Sequence, residues 1–373
     1  MIKTDFLLTD YLNLERQFIP FQKEGGKLPS FSVVIQPLVA EKIRKLNDTQ
    51  RVGDYTFFEA TAEGHWFSFC GSYCCVNKIF THANVYLSDK LRSDGQYEAS
   101  NLLMQAYMYR LVDTGNIMIH SAAVNFNHNA ILFCGSSGAG KSTQANLWKY
   151  YLHADMLNYD KPCIINDNGR FYAHGSPWSG KEALYLNEFA PLKAIVFVNQ
   201  AKENRVVRLS PAQAYAHIYL HNYVYPVTQD IEKKYAAAVK ETVAHMHVYE
   251  LYCDISETAV EVLFNKLFSN ITYRDYQKEY SMKYKVKDCF EMKQIADDFI
   301  VIPRGKEALN FNATVVLNES GAFLWNLLVD YTEENALVNA LMNHYSIDKE
   351  LAEKDIAAFL KKMQENDMID IIK

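Results

Sequence analysis

The stretch Gly135-Ser136-Ser137-Gly138-Ala139-Gly140-Lys141-Ser142 decides how the central part of this 373-residue chain folds. It has the spacing G-x-x-x-x-G-K-S, with an apolar run at residues 131–133 before it and helix-forming residues at 144–148 after it. Glycines let the main chain bend until successive N–H groups point into one concavity, and the following helix adds its positive N-terminal end. The stretch therefore predicts a strand, a phosphate-binding loop (P-loop) and a helix, in that order.

The loop predicts a site for a nucleoside triphosphate and its Mg²⁺. Lys141 is expected to reach the β- and γ-phosphates, and the Ser142 hydroxyl to bind the metal. A bound metal also needs a carboxylate, and Asp160 is the first candidate downstream; the alternative for Asp160 is a turn residue before Lys161-Pro162. The predicted nucleotide-binding residues are Gly135, Ser136, Ser137, Gly138, Ala139, Gly140, Lys141, Ser142 and Thr143.

Composition and charge limit the classes of partner. Apolar residues make up 49% of the chain and charged residues 22%, which is typical of globular proteins with packed cores. The net charge of -6 offers no basic footprint, so we expect no nucleic-acid partner. The N-terminal residues lack a signal-peptide pattern, and no apolar run approaches the ~20 residues that span a bilayer. We therefore expect a cytoplasmic protein without a membrane partner.

Seven cysteines are scattered without a pattern, which favours a reducing compartment over a disulfide framework. Cys70, Cys74 and Cys75 lie close together in the sequence, with His65 nearby. No second pair of ligands at a zinc-site spacing accompanies them. We therefore expect thiols here rather than a metal site.

The chain divides into three predicted regions, residues 1–96, 97–275 and 282–373. In the first region, alternating segments such as residues 55–60 and 65–70, separated by turns, predict an antiparallel sheet. The central region mixes strands with helices around the loop, which indicates an α/β core. Its predicted elements are a helix at 99–111, strands at 117–124 and 130–134 joined by a hairpin, a helix at 142–151, strands at 163–165, 171–173 and 194–198, and helices at 211–223 and 230–244.

The third region predicts a winged-helix (α+β) domain, because a small sheet is followed by three helices. Thr332 and Asp348 are expected to be helix N-caps, and residues 283–287 have the charge of a linker. The predicted elements are strands at 299–302, 308–311 and 315–317, helices at 319–328, 333–344 and 349–365, and a closing strand at 368–372.

Residues 116–267 resemble the HPr kinase/phosphorylase-like family, which shares its nucleotide core with phosphoenolpyruvate carboxykinase. The resemblance is carried by Ile119-His120-Ser121-Ala122-Ala123-Val124, by the P-loop, by Asp160, and by the Gly-Ser-Pro-Trp-Ser-Gly-Lys-Glu stretch at 175–182. The P-loop is common to many families, whereas the other segments are more specific. The resemblance implies ATP and Mg²⁺ as cofactors and phosphoryl transfer as the reaction.

This chain departs from that family at Tyr159-Asp160, where the family usually has two adjacent aspartates. The first of the pair serves as general base, and a phenol with an ordinary pKa near ~10 cannot do this at neutral pH. The resemblance implies that Asp160 is a metal ligand or the base, leaves His120 and Glu182 as the other candidate bases, and makes Lys141 catalytic. A loose phosphoryl-transfer transition state needs positioning more than a strong base.

The third region resembles the PqqD-like family, whose winged-helix modules bind the leader segment of precursor peptides. The resemblance is carried by Val301-Ile302-Pro303-Arg304-Gly305, Leu309-Asn310, and the stretches at 317–325 and 359–363. It implies that a leader peptide is a partner and adds to a sheet edge as a further strand.

Together these features predict an ATP-dependent Ser/Thr kinase of a ribosomally synthesised precursor peptide. The C-terminal domain would hold the leader and raise the effective concentration of the acceptor segment. Two alternatives stay open: a nucleotide-gated peptide-binding chaperone without catalysis, and a kinase of an HPr-like carrier protein or a small molecule. The sequence leaves open the identity of the acceptor, the role of residues 1–96 and whether the chain forms a homo-oligomer.

Overall fold

The computed structural model describes residues 2–4, 17–21, 31–38, 43–88, 95–221, 224, 228–280, 282–296, 298–304 and 315–372. The chain divides into two compact units, residues 1–269 and 270–373. Both contain helices and sheets, so the fold is mixed α/β with several sheets. Among the described residues, no helix is both long and apolar enough to cross a bilayer.

The first unit begins with a seven-stranded sheet in the order β1-β2-β7-β6-β5-β4-β3. Its strands are β1 (Ile2–Thr4), β2 (Ser32–Pro37), β3 (Asp48–Val52), β4 (Tyr55–Phe58), β5 (His65–Phe69), β6 (Ser72–Val76) and β7 (His82–Leu87). The antiparallel pairing predicted from alternation is confirmed from β3 to β7. However, β2 pairs in parallel with both β1 and β7. Turn signals could not reveal these pairs, because parallel neighbours are not joined by a tight hairpin.

A nine-stranded sheet follows, in the order β11-β9-β10-β14-β13-β12-β8, and β16 pairs with β14 and β15. Its strands are β8 (Ile117–Met118), β9 (Ser121–Phe126), β10 (Asn129–Cys134), β11 (Asp155–Asn158), β12 (Cys163–Asp167), β13 (Arg170–His174), β14 (Phe189–Gln200), β15 (Arg205–Arg208) and β16 (Val248–Cys253). The hairpin between β9 and β10 is confirmed. The single strand predicted at 117–124 is wrong, because β8 pairs with β12 whereas β9 pairs with β10 and β11.

The helices of the first unit are α1 (Gly95–Asp113), α2 (Lys141–Leu152), α3 (Pro211–Leu220), α4 (Gln229–His245) and α5 (Glu257–Leu267). Short 3-10 turns occur at Ile19–Phe21 and Gly180–Glu182. The predicted helices at 99–111, 142–151 and 230–244 are confirmed within a few residues. The helix predicted at 211–223 ends at Leu220, and residues 222–223 lie outside the described residues.

Helix α1 joins the two sheets of the first unit. It contacts β5, β6 and β7 of the seven-stranded sheet, and also β8 and α4. Its side chains Leu102, Ala106 and Tyr109 are fully buried in a core that continues into the nine-stranded sheet. The predicted boundary between residues 96 and 97 falls inside this unit, and a separate first domain stays a prediction.

The second unit contains two three-stranded sheets, β21-β17-β22 and β18-β19-β20. Its elements are α6 (Tyr273–Tyr280), β17 (Lys283–Val286), β18 (Phe290–Ile295), β19 (Asp298–Pro303), β20 (Val315–Leu317), α7 (Glu319–Leu327), β21 (Thr332–Glu333), α8 (Glu334–Tyr345), α9 (Lys349–Glu365) and β22 (Ile369–Ile372). The three predicted helices and the strands at 299–302, 315–317 and 368–372 are confirmed. The strand predicted at 308–311 lies outside the described residues, and the winged-helix classification stays a prediction.

Two predictions for this unit were wrong. Residues 283–286 form a strand rather than a linker, because they pair with β22 and bury Tyr284 and Val286, at 6% and 7% exposure, while the alternating Lys283 and Lys285 are partly exposed. Thr332 does not cap α8, whose N-cap is Glu333. The Thr332 hydroxyl instead donates to the carbonyl of Leu327 at 2.6 Å.

The N-cap predicted at Asp348 is confirmed, since its carboxylate accepts from the Leu351 N–H at 2.9 Å. We expect Asp348→Ala to reduce the stability of the first turn of α9 by about 1 kcal/mol, because one N–H loses its acceptor. Native-state hydrogen exchange of the α9 amides measures this. Asp355→Ala, on the exposed middle of the same helix, is the control. Equal losses in the two variants would contradict a capping role.

Candidate functional site

The glycine-rich loop connects β10 to α2, as the sequence predicted. Gly135, Gly138 and Gly140 have φ angles of 145°, 80° and 102°, in the region that favours glycine. A Cβ on Gly135 would lie 3.1 Å from the carbonyl oxygen of Val198 on β14, so the loop also packs closely on its neighbouring strand. The bend therefore favours glycine at all three positions, and the close contact with Val198 also requires it at Gly135.

The start of α2 leaves its first-turn N–H groups without a side-chain cap. Gly140 occupies the N-cap position and forms no side-chain hydrogen bond. Ser142 and Thr143, which follow in the first turn, are exposed, as are Ser136 and Ser137 in the loop. A helix terminus of this kind presents donors and a partial positive charge to an anion.

The side chain of Lys141 folds back over the loop. Its ammonium donates to the carbonyl oxygens of Gly135 at 3.1 Å and Ser136 at 3.0 Å. The residue is only 8% exposed. Burial lowers the pKa of Lys141, while the charge of Asp160 acts in the opposite direction. The ammonium is thus held inside the loop and within electrostatic range of Asp160.

Asn158 organises the turn that follows β11. Its side chain is fully buried, and its Oδ1 accepts from the N–H groups of Asp160 at 2.8 Å and Lys161 at 2.7 Å. Its amide donates at 3.3 Å to the carbonyl and hydroxyl oxygens of Ser176. The Ser176 hydroxyl in turn donates to the Lys161 carbonyl at 2.6 Å. The main chain that carries Asp160 is therefore fixed from both sides.

Asp160 lies between two cationic or potentially cationic side chains. Its Oδ1 is 3.0 Å from Nε2 of His120 and 3.0 Å from the ammonium of Lys161. Burial alone would raise the pKa of Asp160, but the hydrogen bond from His120 and the charge of Lys161 outweigh it. The pKa of Asp160 consequently lies below its usual value. The carboxylate is ionised at neutral pH and is shared by both partners.

The loop at residues 175–182 packs against this turn. The Ser179 hydroxyl accepts from the Tyr159 N–H at 3.0 Å, and a Cβ on Gly180 would lie 3.1 Å from Cβ of Asp160. Trp178 is anchored away from the turn, where its indole N–H donates to the Ser100 carbonyl at 3.1 Å. The loop therefore positions Asp160 through main-chain and small polar contacts.

Glu182 and Tyr159 occupy the outer side of the turn. Both line a cavity of about 580 Å³, and Glu182 is exposed. The Tyr159 hydroxyl is 3.5 Å from Oδ1 of Asn146 on α2. Burial, and then the charge of Glu182, raise the pKa of Tyr159. The phenol is therefore neutral at physiological pH and supplies no base.

The structure thus brings together Lys141, Asp160 and His120 of the predicted site residues and places Glu182 at its outer side. Sequence reasoning missed Asn158 and Lys161. Lys161 could have been found from its position directly after the candidate carboxylate. Asn158 could have been found because an asparagine side chain often accepts hydrogen bonds from the main chain of a turn. Among the residues described, no three His, Cys, Asp or Glu side chains are grouped as metal ligands.

Residues 302–369 match the family model described as "Coenzyme PQQ synthesis protein D (PqqD)", so the C-terminal unit contains a PqqD-like domain. No curated protein sequence matches the chain. Similar solved structures include "TbiB1 in Complex with the TbiA(beta) Leader Peptide", at 21% identity and a TM-score of 0.20 over 23% of this chain and 94% of that one. Another is the Hpr(Ser) kinase/phosphatase from Coxiella burnetii, at 9% identity and a TM-score of 0.24. That match covers 41% of this chain and 94% of the kinase/phosphatase chain. At these TM-scores neither likeness bears on function.

We expect Asn158→Ala to lower the free energy of unfolding by about 2 kcal/mol, because buried main-chain N–H groups lose their acceptor. Urea denaturation followed by tryptophan fluorescence measures the loss. The control is Asn146→Ala, at an exposed position on α2, which should change stability by less than about 0.5 kcal/mol. A loss at Asn158 no larger than that of the control would show that the turn is held by other contacts.

Proposed function

We propose that this chain is an ATP-dependent kinase that transfers phosphate to a Ser or Thr hydroxyl of a ribosomally synthesised precursor peptide. The observation that carries the proposal is the convergence of Lys141, Asp160 and His120 at the end of a glycine-rich loop that leads into a helix. Such a group offers donors for phosphates, a carboxylate for a metal ion and an imidazole for a proton.

The nucleotide phosphates are assigned to the loop. Its exposed residues 136–138 and the uncapped start of α2 supply main-chain N–H groups. A triphosphate would take Lys141 away from the carbonyls of Gly135 and Ser136, replacing neutral acceptors with an anionic one. The phosphate oxygens carry negative charge whereas the carbonyl oxygens carry only a partial one, so the stronger Coulombic attraction to the ammonium favours binding.

The nucleoside is assigned to a cavity of about 490 Å³ beside the loop. Ala139, Gly140 and Thr143 line its loop side, and Val198 and Ile255 give it apolar surface. Ligand sites are commonly concave, largely apolar and of this size. The cavity borders the loop at Ala139 and Gly140, which supports a nucleotide rather than free phosphate.

Mg²⁺ is assigned to Ser142 and Asp160. Hydroxyl and carboxylate oxygens suit this ion, which usually keeps several waters and binds nucleotide phosphates directly. Ser142 lies in the first turn of α2, and Asp160 acts electrostatically on the neighbouring Lys141. When bound, the metal would neutralise charge on the β- and γ-phosphates.

His120 is assigned as the group that accepts the proton of the attacking hydroxyl, and Asp160 as the carboxylate that orients it. The acceptor oxygen forms a bond to the γ-phosphorus while the bond to the leaving ADP breaks, and the hydroxyl proton passes to Nδ1 of the imidazole, because Nε2 carries the hydrogen that is donated to Asp160. The 3.0 Å contact between His120 Nε2 and Asp160 Oδ1 fixes the ring. Glu182 is exposed, so it is the weaker candidate.

The precursor peptide is assigned to the C-terminal unit, on the match of residues 302–369 to the PqqD family. Modules of this kind hold leader segments. A leader held on the same chain makes delivery of the acceptor intramolecular, and the effective concentration then reaches the millimolar range for a short flexible linker. A carrier-protein or small-molecule kinase would have no use for this domain.

We expect Lys141→Ala to weaken MgATP binding by about ten- to hundredfold, since a charge-assisted contact to phosphate is lost. Isothermal titration calorimetry on the full chain measures the dissociation constant. Lys149→Ala is the control, because Lys149 is exposed on the same helix. If both variants bind MgATP like the wild type, the loop does not hold the triphosphate.

We expect transfer of labelled γ-phosphate to be far more efficient for a peptide that carries its leader than for the acceptor segment alone. The KM for the acceptor should fall by about a hundredfold when the leader is attached. The substrate to test is a precursor peptide encoded beside the gene, with its Ser and Thr residues replaced by Ala as the control. Tight ATP binding without any transfer would instead support a nucleotide-gated binding protein.

A further inference from the structure

Lys161 is a buried cation at the centre of the site that the sequence did not single out. The residue is 9% exposed, and its ammonium lies 3.0 Å from Oδ1 of Asp160. Lysine is rarely buried unless it is paired. Its main chain is fixed at both ends, because its N–H donates to Asn158 at 2.7 Å and its carbonyl accepts from Ser176 at 2.6 Å.

Three side chains that carry or can carry positive charge interact with Asp160. The same oxygen that meets Lys161 also meets Nε2 of His120 at 3.0 Å. The charge of Lys161 also acts on Lys141, lowering its pKa, so the two ammonium groups lie within electrostatic range of each other. The ammonium groups of Lys141 and Lys161 and the carboxylate of Asp160 thus act electrostatically on one another. An anion placed beside the two ammonium groups would be attracted by both of them.

We propose that Lys161 contacts the terminal phosphoryl group of the bound nucleoside triphosphate and acts as a second catalytic cation beside Lys141. The inference rests on the proposed kinase function and adds a residue to the same site. In the structure Asp160 holds the ammonium. When Asp160 binds the metal ion, part of its charge is taken up there, and the phosphoryl oxygens become the stronger partner for Lys161.

This role differs from that of a structural counter-ion. A counter-ion would only hold Asp160 in place, and its loss would weaken the binding of every nucleotide that needs the metal. A contact to the terminal phosphoryl group matters for a triphosphate and not for a diphosphate. The ratio of ATP to ADP affinity therefore separates the two roles, and it does so without an acceptor peptide.

The test uses the full chain and compares the affinities of MgATP and MgADP by isothermal titration calorimetry. We expect Lys161→Met, which keeps the side-chain length without the charge, to weaken MgATP binding by about ten- to hundredfold. MgADP binding should change by less than about threefold. Lys161→Arg keeps the charge and should retain most of the preference for MgATP. Lys240→Met, at an exposed position on α4, is the matched control.

Three results would overturn the inference. If the wild-type protein binds both nucleotides and Lys161→Met leaves the ratio of ATP to ADP affinity unchanged, the role proposed for Lys161 is refuted. The proposed kinase function is not affected by that result. Equal losses for both nucleotides, together with a lower melting temperature, would show a structural role, and Lys161→Arg would then restore both affinities together. If wild-type protein binds neither nucleotide, the proposed function fails and the role of Lys161 fails with it.

Discussion

The site depends on one constraint, the antiparallel pairing of β9 with β10 on one side and with β11 on the other. Because both neighbours run opposite to β9, they run in the same direction and end at the same edge of the sheet. The glycine-rich loop starts at the end of β10, and the turn with Asp160 starts at the end of β11. His120 directly precedes β9, at this same edge. Segments distant in sequence therefore meet through strand register.

The second requirement is a rigid main chain under the charged side chains. Asn158 and Ser176 satisfy the N–H and carbonyl groups of the turn with buried hydrogen bonds, so Asp160 and Lys161 are presented without main-chain freedom. Gly180 lets the neighbouring loop approach Asp160 closely. A turn of this kind holds the carboxylate of Asp160 in one place, and this preorganisation would favour the proposed phosphoryl transfer, which depends mainly on positioning and charge.

The order of elements could be predicted from the sequence where local signals are strong. The glycine spacing between an apolar run and a helix-forming run predicted the strand, loop and helix around Lys141. Asp160 was the first candidate carboxylate downstream of the loop, and His120 was added by a family resemblance. Tertiary relations could not be predicted in this way. The parallel pairing of β2 with β7 leaves no turn signal, and residues 283–286 resembled a linker because their lysines masked the alternation of Tyr284 and Val286. Asn158 looks like any turn residue until its partners are known.

Tyr159 fits the charge balance of the site better than a second carboxylate would. An aspartate at this position would stand beside Asp160 and near Glu182, whose charge already acts on Tyr159. The added negative charge would repel the proposed triphosphate and would partly neutralise the positive charge of Lys141 and Lys161. The neutral phenol avoids this repulsion, because its pKa is raised further by burial and by Glu182. Under the proposed kinase function, cations would stabilise the transferred phosphoryl group and a strong base would not be needed, since a loose transition state requires little proton transfer. The neutral Tyr159 before Asp160 and the buried Lys161 after it are then two parts of one electrostatic arrangement.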